Sequence, residues 1–199
     1  LTNILPESII ERLQRGDHLI AGVFDEVTIV FTDMVGFTNF SSGLTASKLL
    51  TFLNAMFVKF DRLTTAMGAY KVEIIGDAYY VVGNCPNDMP GHAAKMVDLA
   101  VAMLKELPGL RQAAGTEAIN IRVGVHTGPV VAGVIGITDP RYRLFGDTVS
   151  YAMGMESSGV PGCVHVSQAT KELLGPEYVL EARTATPLET LGEQDTFLL

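Results

Sequence analysis

The order of strand-like and helix-like segments is the feature that most constrains the fold of this chain. Residues 26–32 form an apolar, β-branched run typical of a buried strand. Apolar residues then recur every three or four positions across 45–67, which predicts a long helix. Two β-rich stretches follow, at 69–75 and 78–82, and the Gly-Asp pair between them predicts a hairpin.

The second half of the chain repeats the helix-then-strand order. A helical pattern covers 92–107 and is expected to end at Pro108-Gly109, and strands are expected at 119–125 and 130–135. The resulting order, βαββαβ, predicts an α+β, ferredoxin-like fold with a mostly antiparallel sheet and helices on one face. Outside this core we expect a lead-in helix at 4–13, a loop at 141–146, a helix from Thr148, and strands near 164–166, 178–180 and 196–199.

Composition indicates one globular core and argues against a nucleic-acid partner. The chain has 199 residues, of which 48% are hydrophobic and 18% charged, so it can bury a core without disulfides or structural metals. A formal charge of -8 does not supply the clustered Lys and Arg that neutralise phosphates. Two cysteines, too few for a disulfide framework, favour a reducing compartment.

Hydropathy gives no membrane-spanning segment. The longest apolar candidate, 128–137, is interrupted by three glycines and a proline, and a span needs roughly 20 apolar residues. The sequence begins at Leu1 and carries no cleavable signal pattern, so we expect a fragment of a longer polypeptide. We expect a cytoplasmic domain that does not itself contact a membrane, with any anchor or sensor outside this segment.

An aspartate follows the first predicted strand. Asp33 ends the apolar run, and the glycine-containing turn 34–36 leads into the next segment. A carboxylate in this place can hold a divalent cation, and backbone N–H groups of the turn and helix start can bind phosphate oxygens. The simpler interpretation is that Asp33 caps the helix. Taken alone, the motif leaves both interpretations open.

A second aspartate lies at the tip of the predicted hairpin. Asp77 follows Gly76 between two apolar strands, and alone it fits a turn residue at least as well as a ligand. In a βαββ unit the first strand pairs beside this hairpin, so Asp33 and Asp77 are expected to converge at one sheet edge. Two carboxylates that bridge two cations are the arrangement for phosphoryl and nucleotidyl transfer. The two motifs together therefore favour a metal site.

Four segments resemble, in order and spacing, the signature blocks of class III adenylyl and guanylyl cyclases. They are 27–38, 70–82, 121–136 and 142–159. The resemblance, which extends over about 4–199, implies synthesis of 3′,5′-cyclic nucleotides from nucleoside triphosphates. It also implies two Mg2+ or Mn2+ ions and active sites between two domains arranged head to tail, as a homodimer or a heterodimer. On this basis we expect a lead-in helix and linker at 1–22 and a catalytic domain at 23–199.

The same resemblance assigns roles to individual residues. Asp33 and Asp77 would hold both cations, with the main-chain carbonyl of Met34 as a further ligand. Arg122 resembles the family arginine that contacts the triphosphate, although a surface arginine at a strand end is the simpler interpretation. The backbone donors to the β- and γ-phosphates would be Gly36, Phe37 and Thr38. The ribose 3′-hydroxyl attacks the α-phosphorus, so no protein nucleophile is required.

Two positions read the base in this family, and they fall on Glu73 and Arg143. Guanylyl members carry Glu at the first, where a carboxylate accepts from guanine N1–H and the 2-amino group, which adenine does not match. At the second, guanylyl members usually carry Cys and adenylyl members Asp. Arg143 either donates to guanine O6 or pairs with Glu73 and blocks the pocket. We expect GTP to be favoured over ATP, with a solvated edge glutamate as the plainer interpretation of Glu73.

One half of the family's active site is incomplete in this chain. Complete members carry Asn at the position of Ser150, which orients the ribose, and Arg at the position of Gly154, which stabilises charge on the α-phosphate. They also carry a lysine near the C-terminus, whereas no lysine follows Lys171 here. The pattern resembles the metal-binding partner of a heterodimeric cyclase. A homodimer would lack all three groups in both of its sites.

Three alternative functions remain open at this point. The chain could be an adenylyl cyclase domain, or a regulatory pseudo-cyclase that dimerises and binds nucleotide without turnover. Another ferredoxin-like nucleotidyl transferase, such as a polymerase palm or a diguanylate cyclase, also presents paired carboxylates. That last class is disfavoured because it has no counterpart to the block at 142–159.

Overall fold

A computed structural model describes residues 5–17, 20–116, 119–136, 140–189 and 191–199. Within these ranges the chain forms seven helices and eight strands. The helices are α1 (Glu7–Gln14), α2 (Phe37–Ser42), α3 (Ala46–Met67), α4 (His92–Lys105), α5 (Leu107–Ala114), α6 (Asp147–Ser157) and α7 (Gln168–Lys171). The strands are β1 (Ala21–Met34), β2 (Tyr70–Ile75), β3 (Ala78–Gly83), β4 (Ile121–Ile135), β5 (Arg141–Phe145), β6 (Val164–Ser167), β7 (Glu181–Leu188) and β8 (Gly192–Leu198).

Four strands and two helices form the predicted βαββαβ core. The strands lie in the order β2-β3-β1-β4, every neighbouring pair is antiparallel, and α3 and α4 pack on one face. Beyond β4 the sheet continues through β6, β8 and β7, with β6 parallel to β4. The expected α+β, ferredoxin-like architecture with a mostly antiparallel sheet is therefore confirmed.

Each face of the sheet has its own apolar core. Alternate residues of β1 divide between them: Val30 belongs to the core under α3, α4 and α5, whereas Ile29 and Phe31 belong to the core on the opposite face. Residues of α1 and α6, including Ile9 and Ala152, lie in this second core. Because both of its faces are buried from 27 to 32, this part of β1 carries no charged residue and does not alternate between apolar and charged side chains.

The longest described helix, α3, has clear local start and stop signals. The Thr45 hydroxyl caps its N-terminus by accepting from the backbone N–H of Lys48 at 3.4 Å. Its C-terminus ends at Gly68, whose φ of 71° is a left-handed conformation that costs glycine little. None of the helices in the described ranges is long and apolar enough to cross a membrane.

Strand boundaries are where the sequence prediction differs most from the structure. The two strands expected between 119 and 135 are one strand, β4, because β1 pairs with it along its length. The expected loop at 141–146 is wrong, since β5 occupies most of it and pairs with the second half of β4. The expected strand at 178–180 is also wrong, because β7 begins only afterwards.

Helix ends differ at two places. Pro108-Gly109 was expected to stop a helix, yet both residues lie inside α5, where proline in the first turn removes an N–H that has no intrahelical partner. The lead-in helix α1 begins after Pro6. Ile4, which the sequence placed in that helix, lies outside the described residues.

The sheet curls so that β5 reaches the β2–β3 hairpin. The Tyr70 ring packs edge-on against Tyr142 with centroids 5.7 Å apart. The Tyr142 hydroxyl also lies 3.7 Å from the Cys85 sulfur at the end of β3. Side chains distant in sequence are thereby brought together over the second core.

Two buried histidines predict a loss of stability in acid. His126 Nδ1 forms a 2.8 Å hydrogen bond with the Ser167 hydroxyl, and its ring stacks on Tyr151 at 3.9 Å. Burial lowers the pKa of His126 to about 4, and burial also lowers the pKa of His165. Because the unfolded-state pKa is about 6.5, the stability contributed by a neutral buried histidine is complete above that pH. It is lost as the pH falls toward 4.

We therefore expect the neutral His126 to make the free energy of unfolding fall by about 1 kcal/mol per pH unit from about pH 6.5 to about pH 4, with His165 acting in the same direction. Urea denaturation between pH 7 and 4 measures this dependence. His126→Gln should remove the contribution of His126 to the pH dependence of the free energy of unfolding. The contribution of His165 should remain. A His126→Gln curve parallel to that of the unsubstituted chain would contradict the assignment.

Candidate active site

The end of β1 presents the first predicted ligand beside a turn. Asp33 is half-buried, Met34 is the last residue of the strand, and Gly36 adopts a left-handed φ of 69° before α2. Phe37 and Thr38 form the first turn of α2. The residues predicted to bind cations and phosphates are therefore contiguous at one end of the sheet.

Asp77 lies beside Asp33, as the topology predicts. The β2–β3 turn carries Asp77 next to the end of β1, because β3 pairs with β1. Burial raises the pKa of Asp77 above its ordinary value, and the neighbouring Asp33 carboxyl raises it further. Backbone N–H groups of Asp77 and Met34 oppose that rise. Two carboxyl groups held this close carry negative charge that a cation would stabilise.

Arg122 lies directly opposite Asp33 on the neighbouring strand. Its Nη2 donates to Asp33 Oδ2 at 3.2 Å, and its Nε donates to Glu156 Oε1 at 2.9 Å. Burial raises the pKa of Glu156, while Arg122 lowers it. Glu156 had no predicted role, because only the docking of α6 on β4 brings position 156 beside position 122.

Glu73 and Arg143 are brought together by the curl of the sheet. A guanidinium nitrogen of Arg143, on β5, donates to Glu73 Oε1, on β2, in a direct ion pair. The sequence left open whether Arg143 donates to guanine O6 or pairs with Glu73. Without a nucleotide, the chain has the pair with Glu73. The Arg143 side chain is 44% exposed and the Glu73 side chain 25% exposed, so the base of a nucleotide could still reach the pair.

The two positions that depart from the family pattern lie on α6. Ser150 and Gly154 line a cavity of about 300 Å³ between α6 and the end of β7. A Cβ added at Gly154 would lie 3.8 Å from the Leu188 Cβ, an ordinary packing distance. Among the described residues, the lining of this cavity includes the acids Glu156 and Glu189 but no cationic side chain, at the place where complete family members carry an arginine.

The residues at the end of β1 fit a divalent cation of the magnesium type. In the described parts of the chain no three His, Cys, Asp or Glu side chains converge as a closed metal site. Mg2+ is usually bound by one or two carboxylates, with water and substrate phosphates completing its coordination. Asp33 and Asp77 supply that number of carboxylates.

Comparison with known proteins gives the family directly. The model for the adenylate and guanylate cyclase catalytic domain matches residues 20–199. Guanylate cyclase soluble subunit beta-2 of Rattus norvegicus is 41% identical over 197 residues, covering 98% of this chain and 29% of that protein. Atrial natriuretic peptide receptor 2 of Homo sapiens is 41% identical over 203 residues, covering 100% of this chain and 19% of that protein. This chain thus spans less than a third of these relatives.

Solved structures agree with this result. The guanylate cyclase domain of RhGC from Catenaria anguillulae, solved in complex with GTP, is 33% identical with a TM-score of 0.82. The match covers 89% of this chain and 97% of that one. The adenylyl cyclase CyaB from P. aeruginosa is 26% identical with a TM-score of 0.79, covering 90% and 95%. By sequence and by fold, this chain belongs to the adenylate and guanylate cyclase catalytic domain family.

Proposed function

We propose that this chain is a cyclase domain that converts GTP to 3′,5′-cyclic GMP and pyrophosphate. We further propose that it supplies the metal-binding half of a site shared with a second cyclase domain. The observation that carries the proposal is that the strand register places Asp33, at the end of β1, and Asp77, in the β2–β3 turn, next to each other beside the turn into α2. The guanylate cyclases among its relatives, and the neighbouring structure solved with GTP, support the choice of substrate.

In this proposal each residue at the end of β1 has a separate task. Asp33, Asp77 and the Met34 carbonyl hold two divalent cations, Mg2+ or Mn2+, which when bound favour ionisation of the ribose 3′-hydroxyl and neutralise the leaving pyrophosphate. Backbone N–H groups of 36–38 donate to the β- and γ-phosphates. Arg122, half-buried on β4, contributes positive charge to the triphosphate. The boundary between a lead-in segment at 1–22 and the catalytic domain remains a prediction.

A regulatory partner with little turnover of its own is the second candidate. The specific observation in its favour is the cavity at Ser150 and Gly154, whose described lining includes Glu156 and Glu189 but no cation, where complete family members orient the ribose and stabilise the α-phosphate. Assays of cyclic GMP and cyclic AMP formation, with Mg2+ or Mn2+, separate the two functions. We expect weak activity alone and strong GTP cyclase activity when the chain is mixed with a domain that carries the Asn and Arg. An inactive mixture would favour the regulatory candidate.

Base preference depends on Glu73 in this proposal. Glu73→Lys should reduce the GTP-to-ATP ratio of kcat/KM in the active complex by at least about tenfold. The lysine ammonium, a hydrogen-bond donor, would then face the N1–H and 2-amino donors of guanine. The charge reversal is matched by Glu181→Lys on the exposed part of β7, which should leave the ratio unchanged. An unchanged ratio in Glu73→Lys would show that the partner domain reads the base.

A further inference from the structure

The Arg122 guanidinium bridges two carboxylates from different parts of the fold. One end donates to Asp33 Oδ2 at 3.2 Å and the other to Glu156 Oε1 at 2.9 Å. The three side chains are largely shielded, with 29% of Arg122, 27% of Asp33 and 14% of Glu156 exposed. The bridge is therefore screened less by solvent than a surface ion pair.

Backbone geometry fixes the positions of all three groups. Asp33 and Arg122 are cross-strand partners in the β1–β4 register, so their side chains lie side by side on one face. Gly124, two residues along β4 on that same face, lies against the backbone of α6. A Cβ there would be 2.1 Å from the Glu156 backbone nitrogen, so only glycine allows this approach. The close contact sets Glu156 beside Arg122.

This arrangement places a positive charge where a divalent cation is expected. Arg122 contacts the carboxylates of Asp33 and Glu156, and Asp77 lies beside Asp33 in the β2–β3 turn. A guanidinium bound to Asp33 Oδ2 competes with a metal ion for that oxygen, and its positive charge repels the metal ion. Glu156 holds the other end of the same guanidinium.

We propose that Arg122 is an internal counter-cation that occupies Asp33 in the metal-free chain. Glu156 is a positioning residue that keeps Arg122 beside the site when a divalent cation takes Asp33. The inference rests on the proposed function in treating Asp33 as a metal ligand. Its consequence is that a cation binds weakly alone and more tightly with a triphosphate, because phosphate oxygens draw Arg122 away from Asp33.

Mn2+ binding to the chain without nucleotide tests the competition. We expect Arg122→Met to bind Mn2+ about three- to tenfold more tightly than the unsubstituted chain, as for loss of a partly buried like charge. Titration followed by the electron paramagnetic resonance of free Mn2+ measures the affinity. Arg15→Met is the control, because it removes the same charge from an exposed pair with Glu11 on α1. Equal or weaker Mn2+ binding by Arg122→Met, or none by either chain, would overturn the proposal.

Glu156 is tested by a double-mutant cycle. Glu156→Gln should weaken Mn2+ binding about threefold, since Arg122 then interacts with Asp33 alone. In the Arg122→Met background the same substitution should have a much smaller effect, and this charge-balanced double variant also keeps the fold testable. An equal loss in both backgrounds would mean that Glu156 acts through its own charge, which would overturn its positioning role.

Asp33→Asn separates failure of this inference from failure of the proposed function. We expect it to abolish Mn2+ binding. Unchanged binding in Asp33→Asn would overturn the metal assignment and the inference together. Loss of binding there, with no gain in Arg122→Met, would overturn the inference alone.

Discussion

Replacing Ser150 by Asn and Gly154 by Arg together is expected to raise the GTP cyclase turnover of the isolated chain by at least about 10²-fold. The removal of one preorganised charge-stabilising group typically costs about 10²- to 10³-fold in turnover, and this chain lacks more than one. In a homodimer the phosphates and cations would be in place, but nothing would align the ribose or stabilise charge at the α-phosphate. The paired substitution should exceed the product of the single effects, because both groups act on one transition state.

The structure makes this experiment practical. Both positions line the cavity on α6, and the packing distance at Gly154 leaves space for a side chain. Val179→Arg is the matched control, since it adds the same cation at an exposed position that does not line this cavity and should not raise turnover. Initial rates of cyclic GMP formation are the measurement. Turnover on the order of 1 s⁻¹ or faster in the unsubstituted chain would refute the idea, because typical enzymes need an intact site to reach it.

Asp33→Ala and Asp77→Ala should each reduce metal-dependent turnover of the active complex to background. Each removes one of the two carboxylates available for the cations at the end of β1. The fold should survive, because removing either charge relieves repulsion between the two carboxyl groups, and Arg122 keeps its ion pair with Glu156 when Asp33 is lost. Circular dichroism and urea denaturation check that expectation.

The control for this pair is Asp88→Ala. Asp88 is an exposed aspartate in the loop after β3, so its loss changes the net charge equally without touching the site. Its turnover should match that of the unsubstituted complex. Unchanged Mn2+ and nucleotide affinity in both Asp33→Ala and Asp77→Ala would contradict the metal assignment.

The core topology was predictable because its signals are local and strong. The helical period from 45 to 67, its Gly68 stop and the Gly76-Asp77 turn are each complete within a few residues. Once the order of elements was known, the convergence of Asp33 and Asp77 followed from how a βαββ unit pairs. Their roles in metal binding remain predictions.

The structural features that the sequence did not predict depend on tertiary contacts. β5 alternates exposed and buried residues, but it is short, lies between Pro140 and Gly146, and becomes a strand by pairing with β4. Glu156 reaches Arg122 only because Gly124 admits the backbone of α6, and no spacing rule connects those three positions. The Glu73–Arg143 ion pair likewise depends on the curl that brings β5 to β2. Such contacts follow from packing rather than from sequence periodicity.

The central position of β1 also affects the chain while it is being synthesised. Asp33 and Arg122 are partners across the β1–β4 ladder, yet they lie 89 positions apart. A nascent chain that ends before β4 already contains Asp33 and Asp77 and can form the β2–β3 hairpin. Its β1 then has an unpaired edge of apolar residues, which is a template for association with other chains. Synthesis of β4 removes that edge and brings Arg122 to Asp33 in the same step.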